Sequence, residues 1–236
     1  MPTRLVLIRH GQTSHNVAGR VAGWTDSPLS EVGLAQAERM SAHVVARYEL
    51  DGLYASPLRR ARHTAQAIGR RAGLVPVLLD DLKELNFGDL ENLTEAEIAS
   101  RYPDVWAASR VLEDHTFAWP GGECRGSFYG RVRQAFDEII AGHPSQTVAV
   151  VSHGGVLGSF VADVVEGQPH LWQKYLLKNC AIAEVHADGG RARLVCFNDH
   201  SFLPDYGPDP LLASLALTSD GDDPTTTGDL HSHAQA

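Results

Sequence analysis

The chain has 236 residues, of which 43% are hydrophobic and 21% charged, and its formal net charge is −9 at pH 7. This length and apolar content predict a single large α/β domain with a sizeable core. The composition excludes a membrane-spanning protein, since no segment is apolar over the length of a span, and the acidic balance argues against a nucleic-acid-binding surface.

Two apolar runs lead into histidine. The run over residues 5–8 ends on Arg9 and His10, and the run over residues 147–151 leads, one residue later, into His153. Each run has the length and composition of a fully buried strand. Open α/β sheets keep their ligand crevices at the carboxyl ends of their strands, so we expect the two histidines to meet there.

Strands and helices alternate along the first third of the chain. Ser30 is typical of a helix N-cap, and the helix that follows it is predicted to lead into a short strand at residues 53–55. Ser56 is predicted to cap the next helix, which ends near Gly73 before a third strand at residues 75–79. This alternation predicts a three-layer α/β/α sandwich with a mainly parallel central sheet.

Residues 89–146 are predicted to be a mostly helical insertion. Thr94 and Glu97 form a capping-box pattern, and Pro103 is expected to stop that helix. After the second histidine, a helix is expected, and then a hairpin over residues 181–197 at the edge of the sheet.

The end of the chain differs in composition. Residues 205–236 contain acidic residues but no Lys or Arg, which predicts an acidic tail, disordered from about residue 218, after a domain over residues 1–204. The three cysteines lack Cys-x-x-Cys spacing, which favours reduced thiols over a disulfide framework or a zinc site. No signal peptide precedes the first strand, so we expect a cytoplasmic protein.

The motifs of the chain, taken in order, resemble those of the histidine phosphatase superfamily, the phosphoglycerate-mutase-like proteins. The resemblance extends from about residue 4 to about residue 203. The motifs that carry it are Arg9-His10-Gly11, Asn16, Gly23-Trp24-Thr25-Asp26, Ser56-Pro57-Leu58-Arg59-Arg60-Ala61, Glu84 with Phe87-Gly88, Pro120-Gly121-Gly122-Glu123 and Ser152-His153-Gly154-Gly155. The resemblance implies a phosphoglycerate-mutase-like fold and makes a homodimer plausible.

His10 is the predicted nucleophile. A neutral imidazole attacks phosphorus near neutral pH, since its reference pKa is about 6.5, and the resulting phosphohistidine divides a difficult displacement into two easier steps without a metal or a cofactor. In the resembling family this histidine becomes phosphorylated, and the arginine before Ala, here Arg60, is catalytic. Arg9 and Arg60 are the expected phosphate clamp, because fixed guanidinium groups stabilise charge on the transferring oxygens. The resemblance makes His153 a hydrogen-bond donor to a phosphoryl oxygen, supported by backbone amides near Gly154.

Four further residues are assigned to the pocket. Glu84 is the predicted general acid for a poor alkoxide leaving group, and the family pattern, an acidic residue four positions before Gly88, selects it among neighbouring acids. Asn16 matches a phosphate-contacting position, with a helix or turn cap as the alternative. Trp24 is expected at the pocket mouth, and Glu123 either contacts substrate or holds its loop. Three more aromatic residues are candidates for the pocket mouth: Phe87, Phe117 and Trp119.

The same core either hydrolyses phosphate esters or moves phosphate between hydroxyl groups. Mutases of the family bind the substrate carboxylate with a lysine after the glutamate motif and an arginine pair after a tryptophan, where this chain has Glu95 and then Ala107 and Ala108. The sequence therefore favours a phosphatase for a small phosphorylated metabolite over a cofactor-dependent phosphoglycerate mutase. A non-catalytic phosphate-binding protein is disfavoured because every catalytic residue of the family pattern is present. A metal-dependent hydrolase is disfavoured because no carboxylates stand at ligand spacing.

Overall fold

The structure, a computed structural model, describes residues 1–207. Its strands are β1 (Thr3–Arg9), β2 (Gly52–Ala55), β3 (Val77–Leu78), β4 (Thr147–Ser152), β5 (Ile182–Asp188) and β6 (Arg191–Asp199). Its α-helices are α1 (Ser14–Val17), α2 (Glu31–Arg47), α3 (Arg59–Ala72), α4 (Glu95–Arg101), α5 (Pro103–Ser109), α6 (Arg125–Gly142) and α7 (Gly154–Glu166). Short 3₁₀ helices lie at Asp80–Leu82, Gly88–Leu90 and Pro169–Tyr175.

Within the described residues, the strands form a six-stranded sheet in the order β3-β2-β4-β1-β5-β6. The first four strands of that order pair in parallel. β5 pairs antiparallel with β1, and β6 pairs antiparallel with β5 at the edge. The predictions of a mainly parallel sheet and of an edge hairpin are therefore confirmed.

Helices cover both faces of the sheet. Alternate residues of a strand point to opposite faces. Leu5 and Leu7 of β1 pack in a hydrophobic cluster with α6 and α7, whereas Val6 and Ile8 pack in a second cluster with α2 and α3. The fold is thus the predicted three-layer α/β/α sandwich, and a strand buried on both sides has to be apolar throughout.

The prediction that Ser56 caps α3 is wrong. The helix begins at Arg59, and its N-cap, Leu58, makes no side-chain cap. The Arg59 N–H donates instead to Asp26 Oδ1 at 2.7 Å, and the Ser56 hydroxyl lies 2.7 Å from Nε2 of His153. A carboxylate from another loop therefore satisfies this helix start.

The other helix ends follow the sequence more closely. Ser30 caps α2, the reciprocal capping box of Thr94 and Glu97 opens α4, and Gly73 ends α3 in the left-handed conformation with φ 71°. Pro103 does more than stop a helix, since it is the first residue of α5, where its missing N–H costs nothing.

The described residues include no helix with the length and apolar character needed to cross a bilayer. The stretch over residues 89–146 contains α4, α5 and α6. The boundary after residue 204 stays a prediction. The predicted disorder from about residue 218 lies outside the described residues.

Candidate active site

Parallel pairing of β1 with β4 brings the two histidines together. Arg9 lies opposite Ser152 in the strand register, and the His10 N–H donates to the Ser152 carbonyl oxygen at 3.0 Å. Each strand ends one residue before its histidine. His10 and His153 therefore lie side by side at the carboxyl edge of the sheet, with ring centroids 5.2 Å apart, as the two apolar runs predicted.

His10 is a buried, neutral ring with one defined tautomer. It is 5% exposed, and its Nδ1 lies 2.8 Å from the Gly11 carbonyl oxygen. A carbonyl oxygen only accepts, so Nδ1 carries the proton and Nε2 the lone pair. The pKa of His10 is lowered well below its usual 6.5 by burial and then by the positive charges of Arg60 and Arg9. This is the form that a nucleophilic imidazole needs.

Two residues that the sequence analysis missed hold the backbone around His10. Thr64 Oγ1 accepts from the Gly11 N–H at 3.0 Å and donates to the Arg60 carbonyl oxygen at 2.7 Å. Asn179 Nδ2 donates to the His10 carbonyl oxygen at 2.9 Å. The one available signal was that Thr64 lies a single helical turn after Arg60, within hydrogen-bonding reach of its backbone.

Arg60 is a buried cation in the first turn of α3, with 1% exposure. Its two terminal nitrogens donate to the carbonyl oxygens of Thr25 and Gly23 at 2.9 and 2.7 Å, and its Nε donates to His153 Nδ1 at 3.2 Å. Burial lowers the pKa of Arg60 to about 10, so the guanidinium stays charged at neutral pH. Arg9, also buried, lines the same cavity, and the two cations create a field that suits a phosphate dianion.

His153 is engaged on both ring nitrogens. Its Nδ1 accepts from Arg60, so its Nε2 carries the proton and donates to Ser56 Oγ. The ring is fully buried, and its pKa is lowered well below 6.5 by burial and then by Arg60. In this arrangement His153 holds Arg60 rather than lining the cavity, and its donation to a phosphoryl oxygen stays a prediction. Gly154, the first residue of α7, does line the cavity beside His10.

Glu84 reaches the same cavity from the segment after the 3₁₀ helix at Asp80–Leu82. Its Oε1 accepts from the Leu85 N–H at 2.9 Å, and its Oε2 accepts from the Gly155 N–H at 3.1 Å. A Cβ on Gly155 would lie 2.5 Å from Glu84 Oε1, so a larger residue at this position would displace the carboxyl group from where it lies. The start of α7 thus places the predicted acid in the cavity that His10 lines.

The other assigned residues take different positions. Asn16 lines the cavity and also caps α1 through its side chain, so the cap alternative is observed and the phosphate contact stays a prediction. Trp24 lies outside the cavity lining, is 41% exposed and donates from Nε1 to the Glu84 carbonyl oxygen at 2.7 Å. Glu123 also lies outside the lining and forms an ion pair with Arg131 at 2.7 Å, which favours its loop-holding alternative.

The cavity has a volume of about 140 Å³ and two chemically different parts. One part consists of Arg9, His10, Arg60 and Glu84. The rest is mainly apolar by surface but also contains charged residues. Its apolar residues include Ile98, Leu112, Trp106, Phe128, Tyr129, Trp172 and Leu176, and its charged residues are Arg20, Glu95, Arg110 and Arg125. Of the aromatic residues expected at the mouth, Phe87 and Trp119 line the cavity and Phe117 does not.

The groups that converge here are those of an anion site. Within residues 1–207, no three His, Cys, Asp or Glu side chains come together as metal ligands. Two cations, a neutral imidazole and a carboxyl group converge instead, and this set can bind a phosphoryl group, attack it and exchange a proton.

Comparison with known proteins defines the class. The sequence matches the histidine phosphatase superfamily (branch 1) over residues 5–200, so the chain belongs to that superfamily. Among solved structures, a mycobacterial glucosyl-3-phosphoglycerate phosphatase complexed with VO3 is 34% identical with a TM-score of 0.74, and the match covers 83% of this chain and 98% of that one. The resemblance drawn from the motifs is confirmed.

Curated relatives extend this comparison. A bifunctional protein of Mycobacterium tuberculosis is 38% identical over 197 residues, which are 82% of this chain and 54% of that protein, so the chain spans about half the length of this relative. A metal-independent phosphoserine phosphatase of Arabidopsis thaliana is 31% identical over 206 residues, with 87% of this chain and 85% of that protein covered. The chain therefore has phosphatases among its relatives.

Proposed function

We propose that the chain is a phosphomonoester hydrolase that acts through a phosphohistidine on His10, on a small phosphorylated metabolite, without a metal or a cofactor. One observation carries this proposal. A buried, neutral His10 presents the lone pair of Nε2 in a cavity that it shares with the cations of Arg9 and Arg60 and with Glu84. Membership of the histidine phosphatase superfamily supports the same chemistry.

The proposed reaction has two steps. In the first, a bond forms between His10 Nε2 and phosphorus, the bond from phosphorus to the leaving oxygen breaks, and Glu84 gives its proton to that oxygen. Arg9 and Arg60 stabilise the charge on the equatorial oxygens. In the second step, water attacks phosphorus while Glu84 accepts its proton. The nitrogen–phosphorus bond then breaks and releases inorganic phosphate and neutral His10.

A phosphoglycerate mutase is the second candidate and has less support. Glu95 lines the cavity at the position where a mutase of the family is expected to have a cation. A carboxylate there repels the carboxylate of a phosphoglycerate. Ala107 and Ala108, which stand where the arginine pair is expected, are exposed on α5 and offer no charge.

Phosphate release in the presence of EDTA tests the proposal. The substrates are p-nitrophenyl phosphate and a panel of metabolite phosphomonoesters, and the proteins are wild type, His10→Ala and His63→Ala, the last a matched control on α3 outside the cavity lining. We expect release by wild type and by His63→Ala and none by His10→Ala. If wild type released no phosphate but orthovanadate raised its Tm, the chain would instead be a binding protein. Interconversion of 2- and 3-phosphoglycerate without net hydrolysis would identify a mutase.

A further inference from the structure

The glutamate of the Pro-Gly-Gly-Glu motif faces an arginine that the proposed reaction does not use. We propose that this arginine, Arg131 on α6, is a positioning residue that holds Glu84 in place for proton transfer. The inference rests on the proposed function, because it assigns a role relative to the proposed acid. Arg131 has a side-chain exposure of 15% and does not line the cavity, so any effect on the reaction passes through other residues.

The Arg131 guanidinium binds three carbonyl oxygens in the segment that carries Glu84. One terminal nitrogen donates to Asp81 at 2.8 Å and to Lys83 at 2.7 Å. The other donates to the carbonyl oxygen of Glu84 itself at 2.9 Å. The backbone of the proposed acid and of the residues just before it is therefore fixed to α6.

Glu123 completes this arrangement from the other side. Its two carboxylate oxygens accept from Nε and a terminal nitrogen of Arg131 at 2.7 and 2.8 Å, a bidentate pair with 14% exposure on the glutamate. The same carboxylate accepts from the Asn86 N–H at 3.3 Å, and the Glu123 N–H donates to the Asn86 carbonyl oxygen at 2.9 Å. The Arg131–Glu123 pair thus holds the chain on both sides of Glu84.

Only arginine meets these demands. It offers five N–H donors in a rigid planar fork, and the contacts use both the bidentate edge and the opposite side. A lysine has one charged nitrogen, which reaches either the carboxylate or a few carbonyl oxygens. Proton transfer depends on the donor lying within hydrogen-bonding reach of the leaving oxygen, so a shift of about 1 Å in Glu84 costs up to about a hundredfold in rate.

The dependence of the rate on the leaving group separates positioning from simple structural support. An alkyl ester such as 2-phenylethyl phosphate needs the acid, whereas p-nitrophenyl phosphate has a leaving group that departs with little protonation. For Arg131→Met we expect kcat/KM on the alkyl ester to fall about tenfold to a hundredfold, and kcat/KM on the aryl ester to fall less than about threefold, because kcat/KM excludes the hydrolysis of the phosphohistidine that both esters share. In a Glu84→Gln background the same change should add little, because the group that it positions is already gone.

Arg133→Met is the matched control, since Arg133 lies on the same helix with 67% exposure and pairs only at the surface with Asp137 and Asp163. It should change neither rate. If Arg131→Met is not folded, Glu123→Gln, which removes the charge but keeps the size, should show the same selectivity with a smaller loss. Equal losses on both esters, or a full additional loss in the Glu84→Gln background, would overturn the positioning role while leaving the proposed function intact. A wild type with no His10-dependent hydrolysis would overturn the proposed function itself, and this role with it.

Discussion

Burial sets the charge of the two histidines at the candidate site. His10 and His153 lie beside the buried guanidinium of Arg60, and an imidazolium there would lose its hydration and face a like charge. The guanidinium nevertheless stays charged at neutral pH, and it donates to two carbonyl oxygens and to His153. The site thus combines neutral nucleophilic nitrogen with fixed positive charge.

This arrangement predicts a loss of stability in acid. The pKa of His10 in the folded state is below that of the unfolded chain, so between the two values the unfolded state binds the proton and the folded state does not. The free energy of unfolding should therefore fall as the pH drops below about 6.5, by up to about 1.4 kcal/mol per pH unit for each such histidine. Urea unfolding at about pH 7.5 and about pH 5.5 measures this loss, which should be smaller in His10→Gln than in wild type. Equal losses would show that His10 does not contribute.

Glu84→Gln tests the proposed acid directly. Glutamine keeps an oxygen to accept from the Gly155 N–H but has no proton to give to a leaving alkoxide. We expect kcat/KM on an alkyl ester to fall by a factor of about 10² to 10⁴ and kcat/KM on p-nitrophenyl phosphate to change far less, because kcat/KM reports the phosphorylation of His10 and not the later hydrolysis that both esters share. Steady-state rates on the two esters decide the point. Equal losses on both would remove Glu84 from the role of acid.

The first turn of α7 contains a glycine, Gly155, whose role does not follow from helix propensity. Alanine usually stabilises a helix relative to glycine. At Gly130 in α6 an added Cβ would meet nothing within 4 Å. Gly130→Ala should therefore raise the free energy of unfolding by about 0.5–1 kcal/mol and leave the activity unchanged. At Gly155 the added Cβ displaces the Glu84 carboxyl group. Gly155→Ala should therefore lower kcat/KM on alkyl esters more than on aryl esters. Denaturant unfolding and paired rates on the two variants check this, and an active Gly155→Ala enzyme with unchanged selectivity would contradict it.

The elements themselves were largely predictable, because their signals are local. β1 and β4 are continuous apolar runs, and Ser30, Thr94 and Glu97 cap the helices that their positions predicted. The start of α3 was not predictable, because the carboxylate that accepts from the Arg59 N–H belongs to Asp26, in a loop far away in sequence. Periodicity and capping patterns contain no information about a contact between distant segments.

The same distinction applies to the candidate site. The family motifs predicted that His10, Arg60 and Glu84 belong to one site, and all three line the same cavity in the structure, while their roles stay predictions. They could not show that His153 is held between Arg60 and a serine, nor that the partner of Glu123 is Arg131, eight residues later on α6. Those partners depend on how a loop packs against a helix. Only three-dimensional geometry decides such packing.

At the scale of the whole molecule, the mainly apolar wall of the cavity lies next to the cations that are expected to bind phosphate. α4 and α5 contribute Ile98 and Trp106 to its wall, and the 3₁₀ helix before β5 contributes Trp172. An apolar leaving group that packs against these aromatic and aliphatic walls stabilises the enzyme–substrate complex by about 25 cal/mol per Å² of apolar surface that is buried. Glu95 opposes a second negative charge in the same cavity, whereas Arg20, Arg110 and Arg125, which also line it, favour one. The predicted homodimer stays a prediction.

Because most of the wall is apolar, we expect the preferred substrates to be phosphomonoesters with an uncharged, apolar leaving group. We expect kcat/KM to decrease in the order 2-phenylethyl phosphate, glycerol 1-phosphate, 3-phosphoglycerate, all of them esters of primary alcohols, so that the need for the acid is similar throughout. Trp172→Ala should lower kcat/KM about tenfold for the phenylethyl ester and leave the value for glycerol 1-phosphate nearly unchanged, because only the first substrate contacts the aromatic wall. Initial rates at substrate concentrations far below KM give these ratios directly. A preference for 3-phosphoglycerate would mean that the cations of the cavity outweigh Glu95, and that the apolar wall does not select the substrate.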